Sequence, residues 1–306
     1  MSPPIGVLVM AHGTPASLEE IEAFYTRIRR GRPPSPEQLE NLVRRYRAIG
    51  GTSPLTERTR AQTEGLAAAL EASSPGRYLV GFGAKHTEPS IETGAAALAG
   101  AGVSAVVGLV LTPQRSAAGS GEYLDRAARA VAECAPDLPF VAVEEWYDAP
   151  GFDALVGRRV TTALGGLESP TVLFSAHSVP ESVAEPYRTQ VVASAELVAG
   201  AAGLDRHRVP WRVVFQSAGR TEQRWLGPDL LGAIDEVAAT DGRSVLVCPV
   251  GFVADHLAVL YDLDVEAGAR ARAAGLAFAR TASLNDDPEF VGILAQVVAS
   301  AAGASR

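Results

Sequence analysis

Along the chain, short runs of Val, Ile and Leu alternate with longer stretches in which apolar residues recur every three or four positions. An unbroken apolar run suits a strand buried on both faces, and the longer period suits amphipathic helices that cover those faces. The runs predict strands at 5–11, 78–83, 104–111 and 139–144, then at 171–176, 212–216, 244–250 and 276–280. Helices are expected at 17–29, 36–48, 56–72, 90–101 and 119–133, then at 150–163, 184–202, 228–240 and 255–270. A closing helix over 287–301 opens at Pro288, whose missing N–H costs nothing in a first turn.

The order of strands matches between the halves, and helices lie between them, which gives the fold class α/β, with two doubly wound, Rossmann-like halves. Length agrees, because 306 residues exceed the usual size of one core. The pattern breaks at DAPG, Asp148 to Gly151, so the halves are expected at 1–149 and 150–306, with the closing helix free to pack back across that boundary. In such sheets, ligands bind beyond the carboxyl ends of strands. Two stretches fall there: VLVMAHGTP at 7–15 and VLFSAHSVPE at 172–181 each run an apolar strand into Ala-His, a small residue and a nearby proline. His12 and His177 thus occupy equivalent strand ends, where a neutral imidazole can act as a base or as a metal ligand.

With 47% hydrophobic and 20% charged residues, the composition is that of a globular protein rather than a disordered one. A formal charge of −8 argues against nucleic acid as a partner. Locally the sign reverses: RIRRGRPPSPEQLENLVRRYR, residues 27–47, holds seven arginines against Glu37 and Glu40, an excess of five positive charges that could hold an anionic small molecule. The start, MSPPIGVLVMAHG, has no basic leader, and its apolar run is too short for a signal peptide or a membrane span, so a cytoplasmic location is expected. Cys134 and Cys248 are far apart and read as buried small hydrophobes, which leaves no four-cysteine metal or iron–sulfur site.

Seven stretches in order, LVMAHGTP, YTRIRRGR, YRAIGGTSPL, GAKHTEPSIE, FSAHSVPE, FQSAGRTEQRWLGPD and PVGFVADHLAVLYDLDVE, together resemble the ferrochelatase family, particularly its bacterial coproporphyrin-using branch. The resemblance implies class II chelatase-like halves around a porphyrin cleft and the insertion of ferrous iron, most readily into coproporphyrin III, in haem biosynthesis. It implies that Arg29, Arg45, Tyr46, Ser53 and Tyr123 bind the porphyrin, a role that suits guanidinium forks and hydroxyls facing propionates. His177 matches the family's active-site histidine, which takes up pyrrole protons or binds the metal. His12 stands where the family commonly has tyrosine, on the opposite porphyrin face, and could be an axial ligand of the product. Implied partners are a tetrapyrrole, a divalent metal and a downstream haem-pathway enzyme. The chain is expected to be a monomer with no permanently bound cofactor and with Fe2+ as substrate.

One position departs from the family's pattern. A regular helix over 255–270 would stack Ala258, Asp262 and Glu266 along one stripe. The resemblance implies an acidic stripe throughout, with a catalytic glutamate innermost, yet here that position is Ala258. Asp262 and Glu266 remain as a possible entry path for the cation. Three readings stay open: an iron chelatase working without that acid, a chelatase for another metal such as cobalt or nickel, or a non-catalytic haem or porphyrin-binding homologue. Among the other histidines, His86 reads as a hydrogen-bonded loop support, His256 as a helix residue pointing away from Ala258, and His207 as surface. Trp225 is expected to anchor the loop before Pro228.

Overall fold

The structure, a computed structural model, describes residues 3–219 and 221–304. The chain divides into two compact units, one made of Met1–Trp146 and Leu284–Arg306, the other of Tyr147–Ser283.

The first unit opens with β1 (Ile5–Ala11), α1 (Ile21–Ile28), α2 (Pro36–Ala48) and α3 (Leu55–Ser73). It continues with β2 (Tyr78–Ala84), α4 (Ile91–Gly100), β3 (Val106–Val110), α5 (Glu122–Cys134) and β4 (Phe140–Val143). The strands pair in parallel in the order β2-β1-β3-β4. All seven residues of β1 are buried, as a central strand covered on both faces must be. Leu8, Met10, Ile91, Leu98, Val106 and Leu124 belong to the core on one side of this sheet. The start of α2 is set by its sequence: Ser35 accepts from the Gln38 N–H while the Gln38 side chain answers the Ser35 N–H, and Pro36 takes the first turn.

The second unit repeats the plan with α6 (Phe152–Leu164), β5 (Pro170–His177), α7 (Tyr187–Ala201), β6 (Trp211–Gln216), α8 (Leu230–Ala238) and β7 (Ser244–Cys248). After β7 come a short α turn, α9 (Leu257–Val259), a π-helical stretch (Leu260–Ala267), α10 (Gly268–Ala273) and β8 (Ala277–Arg280). The order is β6-β5-β7-β8, again all parallel, so the permutation of the first sheet recurs. In each sheet the first strand in sequence lies between the second and third, so chain order reverses at the carboxyl ends of β1 and β5.

The closing helix α11 (Pro288–Ala304) packs into the first unit. Phe290 lies 5.8 Å from the Trp146 ring, Val291 fills the space above Gly65, and the Gln62 amide donates to the Asn285 carbonyl at 2.8 Å.

Two expectations need correction. Cys248 is buried, its thiol pushed up to about 12 by desolvation, but Cys134, at the end of α5, is exposed rather than a core residue. The regular α-helix over 255–270 is instead broken: His256 has the extended backbone of a cap, and the turns from Leu260 to Ala267 are wound wider, with i→i+5 hydrogen bonds. Four-residue spacing therefore does not define one stripe. Asp262 is 4% exposed, whereas Glu266 lies at the surface. For the same reason His256 is not on the helix of Ala258 at all; its ring packs on Phe252 at 4.8 Å.

Candidate active site

The two strand-end histidines are built alike. His12 follows β1 directly, and its Nδ1 donates to the Gly13 carbonyl at 3.0 Å. His177 ends β5, and its Nδ1 donates to the Ser178 carbonyl at 2.6 Å. A carbonyl can only accept, so in each neutral ring the proton sits on Nδ1 and Nε2 keeps the lone pair. That is the form in which an imidazole takes a proton or binds a metal through Nε2.

Around His177 the backbone is closely held. The Tyr187 hydroxyl donates to the His177 carbonyl at 3.0 Å, the Ser178 N–H donates to the Gln216 carbonyl at 2.8 Å, and the Ser178 hydroxyl donates to the Leu226 carbonyl at 2.8 Å. Gly251, after β7, approaches so closely that a Cβ there would meet the Ala176 Cβ at 2.7 Å. From the end of β6, the Gln216 side chain donates to the Ala258 carbonyl at 2.9 Å, and the next residue, Ser217, donates to the Asp262 carboxylate. The short turn α9 and the widened helix after it are thus each tied once to the end of β6, the strand beside His177. Trp225 anchors its loop as expected: its indole covers Gly219 and donates to the Thr221 hydroxyl at 2.9 Å.

In the first unit, the His12 ring packs 4.7 Å from that of His86, and the buried Phe24 meets both edge-on. Burial, then the charges of His12, Lys85, Arg126 and Arg27, push the His86 pKa down to about 3, so this ring is neutral near pH 7. Two residues beyond His12, the Thr14 hydroxyl meets the Tyr46 hydroxyl at 3.0 Å. Burial raises the Tyr46 pKa, partly offset by the Thr14 hydrogen bond and the nearby Arg45 charge. Arg45 and Tyr46 are therefore brought beside the strand end that carries His12.

The remaining residues named from sequence are placed as follows. Arg29 caps α1, donates through Nε to the Arg32 carbonyl at 3.2 Å and lies 5.6 Å from the Tyr25 ring. Ser53 is buried and accepts from the Leu55 N–H at 3.3 Å, at the entrance to α3. Tyr123 is 7% exposed, within the core at the start of α5; burial raises its phenol pKa, and the Lys85 ammonium lies 4.9 Å from its ring. Lys85 also pairs with Glu122 at 3.0 Å, and Arg126 grips Glu92 through two hydrogen bonds of 2.7 and 2.8 Å.

Sequence reasoning missed the contact of His86 with His12, and the roles of Thr14, Gln216 and Ser217. The signal for the first was present: parallel pairing of the first two strands brings the residues after both to one sheet end, and AKHTEP follows the second. Among the described residues, no three His, Cys, Asp or Glu side chains gather as a metal cluster, and no helix is long and apolar enough to cross a membrane.

The ferrochelatase family profile matches residues 4–302. The chain belongs to the ferrochelatase family. A ferrochelatase of Herpetosiphon aurantiacus is 40% identical over 306 residues, covering 97% of this chain and 99% of the relative. The coproporphyrin III ferrochelatase of Bacillus subtilis is 40% identical over 304 residues, covering 96% of each. Among solved structures, SirB from Bacillus subtilis with Fe3+ superposes with a TM-score of 0.61 at 15% identity, over 99% of this chain and 97% of that one. At that identity the likeness speaks for the fold: this ferrochelatase-family chain shares the chelatase architecture of paired parallel sheets.

Proposed function

We propose that this protein inserts ferrous iron into a porphyrin, with coproporphyrin III as the substrate, in haem biosynthesis. The observation that carries the reading is His177, held at the reversal point of its sheet with Nδ1 tied to a carbonyl and Nε2 basic, in a chain matched to the ferrochelatase family from residue 4 to 302. Insertion releases two pyrrole protons for each Fe2+ that enters. In this reading His177 Nε2 accepts the two pyrrole protons in turn and hands each to solvent, and Asp262, buried and hydrogen-bonded to Ser217, supplies negative charge toward the incoming cation. Arg29, Arg45, Tyr46, Ser53 and Tyr123 hold the porphyrin, the arginines through its propionates. His12 is the axial ligand of the iron product. Coproporphyrin III is favoured because relatives at 37% to 40% identity carry that substrate in their names, and because the segment from Arg27 to Arg47 suits a highly anionic macrocycle. The protein works as a cytoplasmic monomer without a resident cofactor or iron–sulfur cluster, and passes its product to a downstream haem-pathway enzyme.

Ala258 favours a second reading, in which the protein binds a tetrapyrrole without metallating it. An anaerobic absorbance assay with coproporphyrin III and ferrous, cobalt, nickel or zinc ions separates the two. Many turnovers with iron, lost in His177→Ala, support the first reading. Turnover with another metal alone would reassign the substrate, and spectral shifts without turnover would establish the binding protein.

A further inference from the structure

The His12 Nδ1 donates to the Gly13 carbonyl at 3.0 Å, which ties down one edge of the imidazole. Two other rings pack against it. His86 packs against it with 4.7 Å between centroids and 57° between planes, and Phe24, 3% exposed, stands edge-on at 5.9 Å. Phe24 also braces His86, at 6.2 Å and 83°.

His86 is firmly mounted. Its N–H donates to the His12 carbonyl at 3.1 Å, its carbonyl accepts from Arg27 Nε at 2.9 Å, and the preceding residue's carbonyl accepts from Arg126 at 2.9 Å. The backbone that carries the His86 ring is thus tied to the end of β1, to α1 and to α5. A ring contact made from so fixed a base restricts rotation of its neighbour more than a contact from a mobile loop would.

We propose that His86 is a positioning residue for His12: its ring is the plate that, with Phe24, holds the His12 imidazole in one orientation, so that Nε2 meets the metal of a bound metalloporphyrin from a single direction. The inference rests on the reading of His12 as axial ligand. Groups that orient a ligand commonly contribute 10- to 100-fold to metal affinity without touching the metal.

The test uses the full chain and ferric coproporphyrin III, with absorbance and electron paramagnetic resonance spectra and a parallel titration with metal-free coproporphyrin III. The wild type should give one imidazole-ligated spectrum, and His12→Ala should abolish it. His86→Ala should weaken binding of the ferric porphyrin by about 10-fold relative to the metal-free one and turn the single spectrum into a mixture of ligation states. His86→Phe, which keeps a ring plate, should restore both. If His86→Ala does not fold, His86→Asn, polar but without a ring, takes its place with the same expectation. A His12→Ala protein with the wild-type spectrum would overturn the ligand reading itself. A changed spectrum in His12→Ala with a wild-type one in His86→Ala, or failure of His86→Phe to restore ligation, would overturn the positioning role alone.

Discussion

Gly13 sits where two separate demands meet, and substituting alanine should expose both. Its φ of +81° lies in the left-handed region, where a Cβ costs about 1–2 kcal/mol. A Cβ there would also fall 2.3 Å from the Thr87 hydroxyl oxygen and 3.2 Å from its Cβ, a clash of the overpacking kind that typically costs about 1–3 kcal/mol. Because the threonine can partly turn away, Gly13→Ala should destabilise the first unit by about 2–4 kcal/mol. For a unit of this size that corresponds to a fall in Tm of ~4–16 °C by circular dichroism. Removing the hydroxyl separates the terms. In a Thr87→Ala background the same substitution should cost only about 1–2 kcal/mol, so a double-mutant cycle should show a coupling energy of at least ~1 kcal/mol. A Gly13→Ala protein melting within about 2 °C of the wild type, or a cost unchanged by Thr87→Ala, would refute the reasoning.

At Gly251 the conflicting atoms are the Cα and Cβ of Ala176 in a buried strand, which cannot rotate aside, so Gly251→Ala should lower stability by about 1–3 kcal/mol in urea unfolding. Stability should also fall with acid. His86 titrates near 3 when folded and near its ordinary value of about 6.5 when unfolded, so the unfolded chain binds the extra proton first and stability is lost as pH drops from about 6.5 toward 3. Glu92, lowered to about 2 chiefly by its Arg126 hydrogen bonds, adds a loss of the same sign from about 4.5 downward, so His86→Phe should flatten the slope only in the upper window. Ala258→Glu should raise the rate of iron insertion by about 100-fold or more while leaving coproporphyrin affinity within a few-fold, as read in the anaerobic assay; an unchanged rate would mean that a missing carboxylate does not limit the protein.

Much of the architecture was legible because buried parallel strands leave an unmistakable mark. The seven apolar residues of β1 and the four of β7, Val245 to Cys248, stand out against any helical period, and the Ser-Pro start of α2 is written in its capping residues. The helix after β7 was misread because the spacing of Asp262 and Glu266 fits an α-helix, and nothing in the residue types announces a π-helical stretch. Its contacts are tertiary: Gln216, at the end of β6, bonds the Ala258 carbonyl just before it, and the next residue, Ser217, bonds Asp262 within it. His12 and His177 could be found from the repeated strand end alone. Their tautomers and the packing of His86 depend on carbonyls and rings brought together by strand pairing, information that resides in the register rather than in the motif.

The return of α11 to the first unit bears on the order in which the chain can mature. A growing chain releases the strands of the first unit early, yet Phe290, Val291 and the Asn285 carbonyl, which pack on Trp146, Gly65 and Gln62, emerge only after the whole second unit. At ribosomal speeds the intervening segment Tyr147–Ser283 takes on the order of ten seconds to appear, long enough for the second unit to fold first. The amino-terminal half therefore waits, incomplete, on the segment that begins at Leu284. A chain terminated just after Ser283 would keep the whole unit that bears His177 and leave the one that bears His12 without its closing helix.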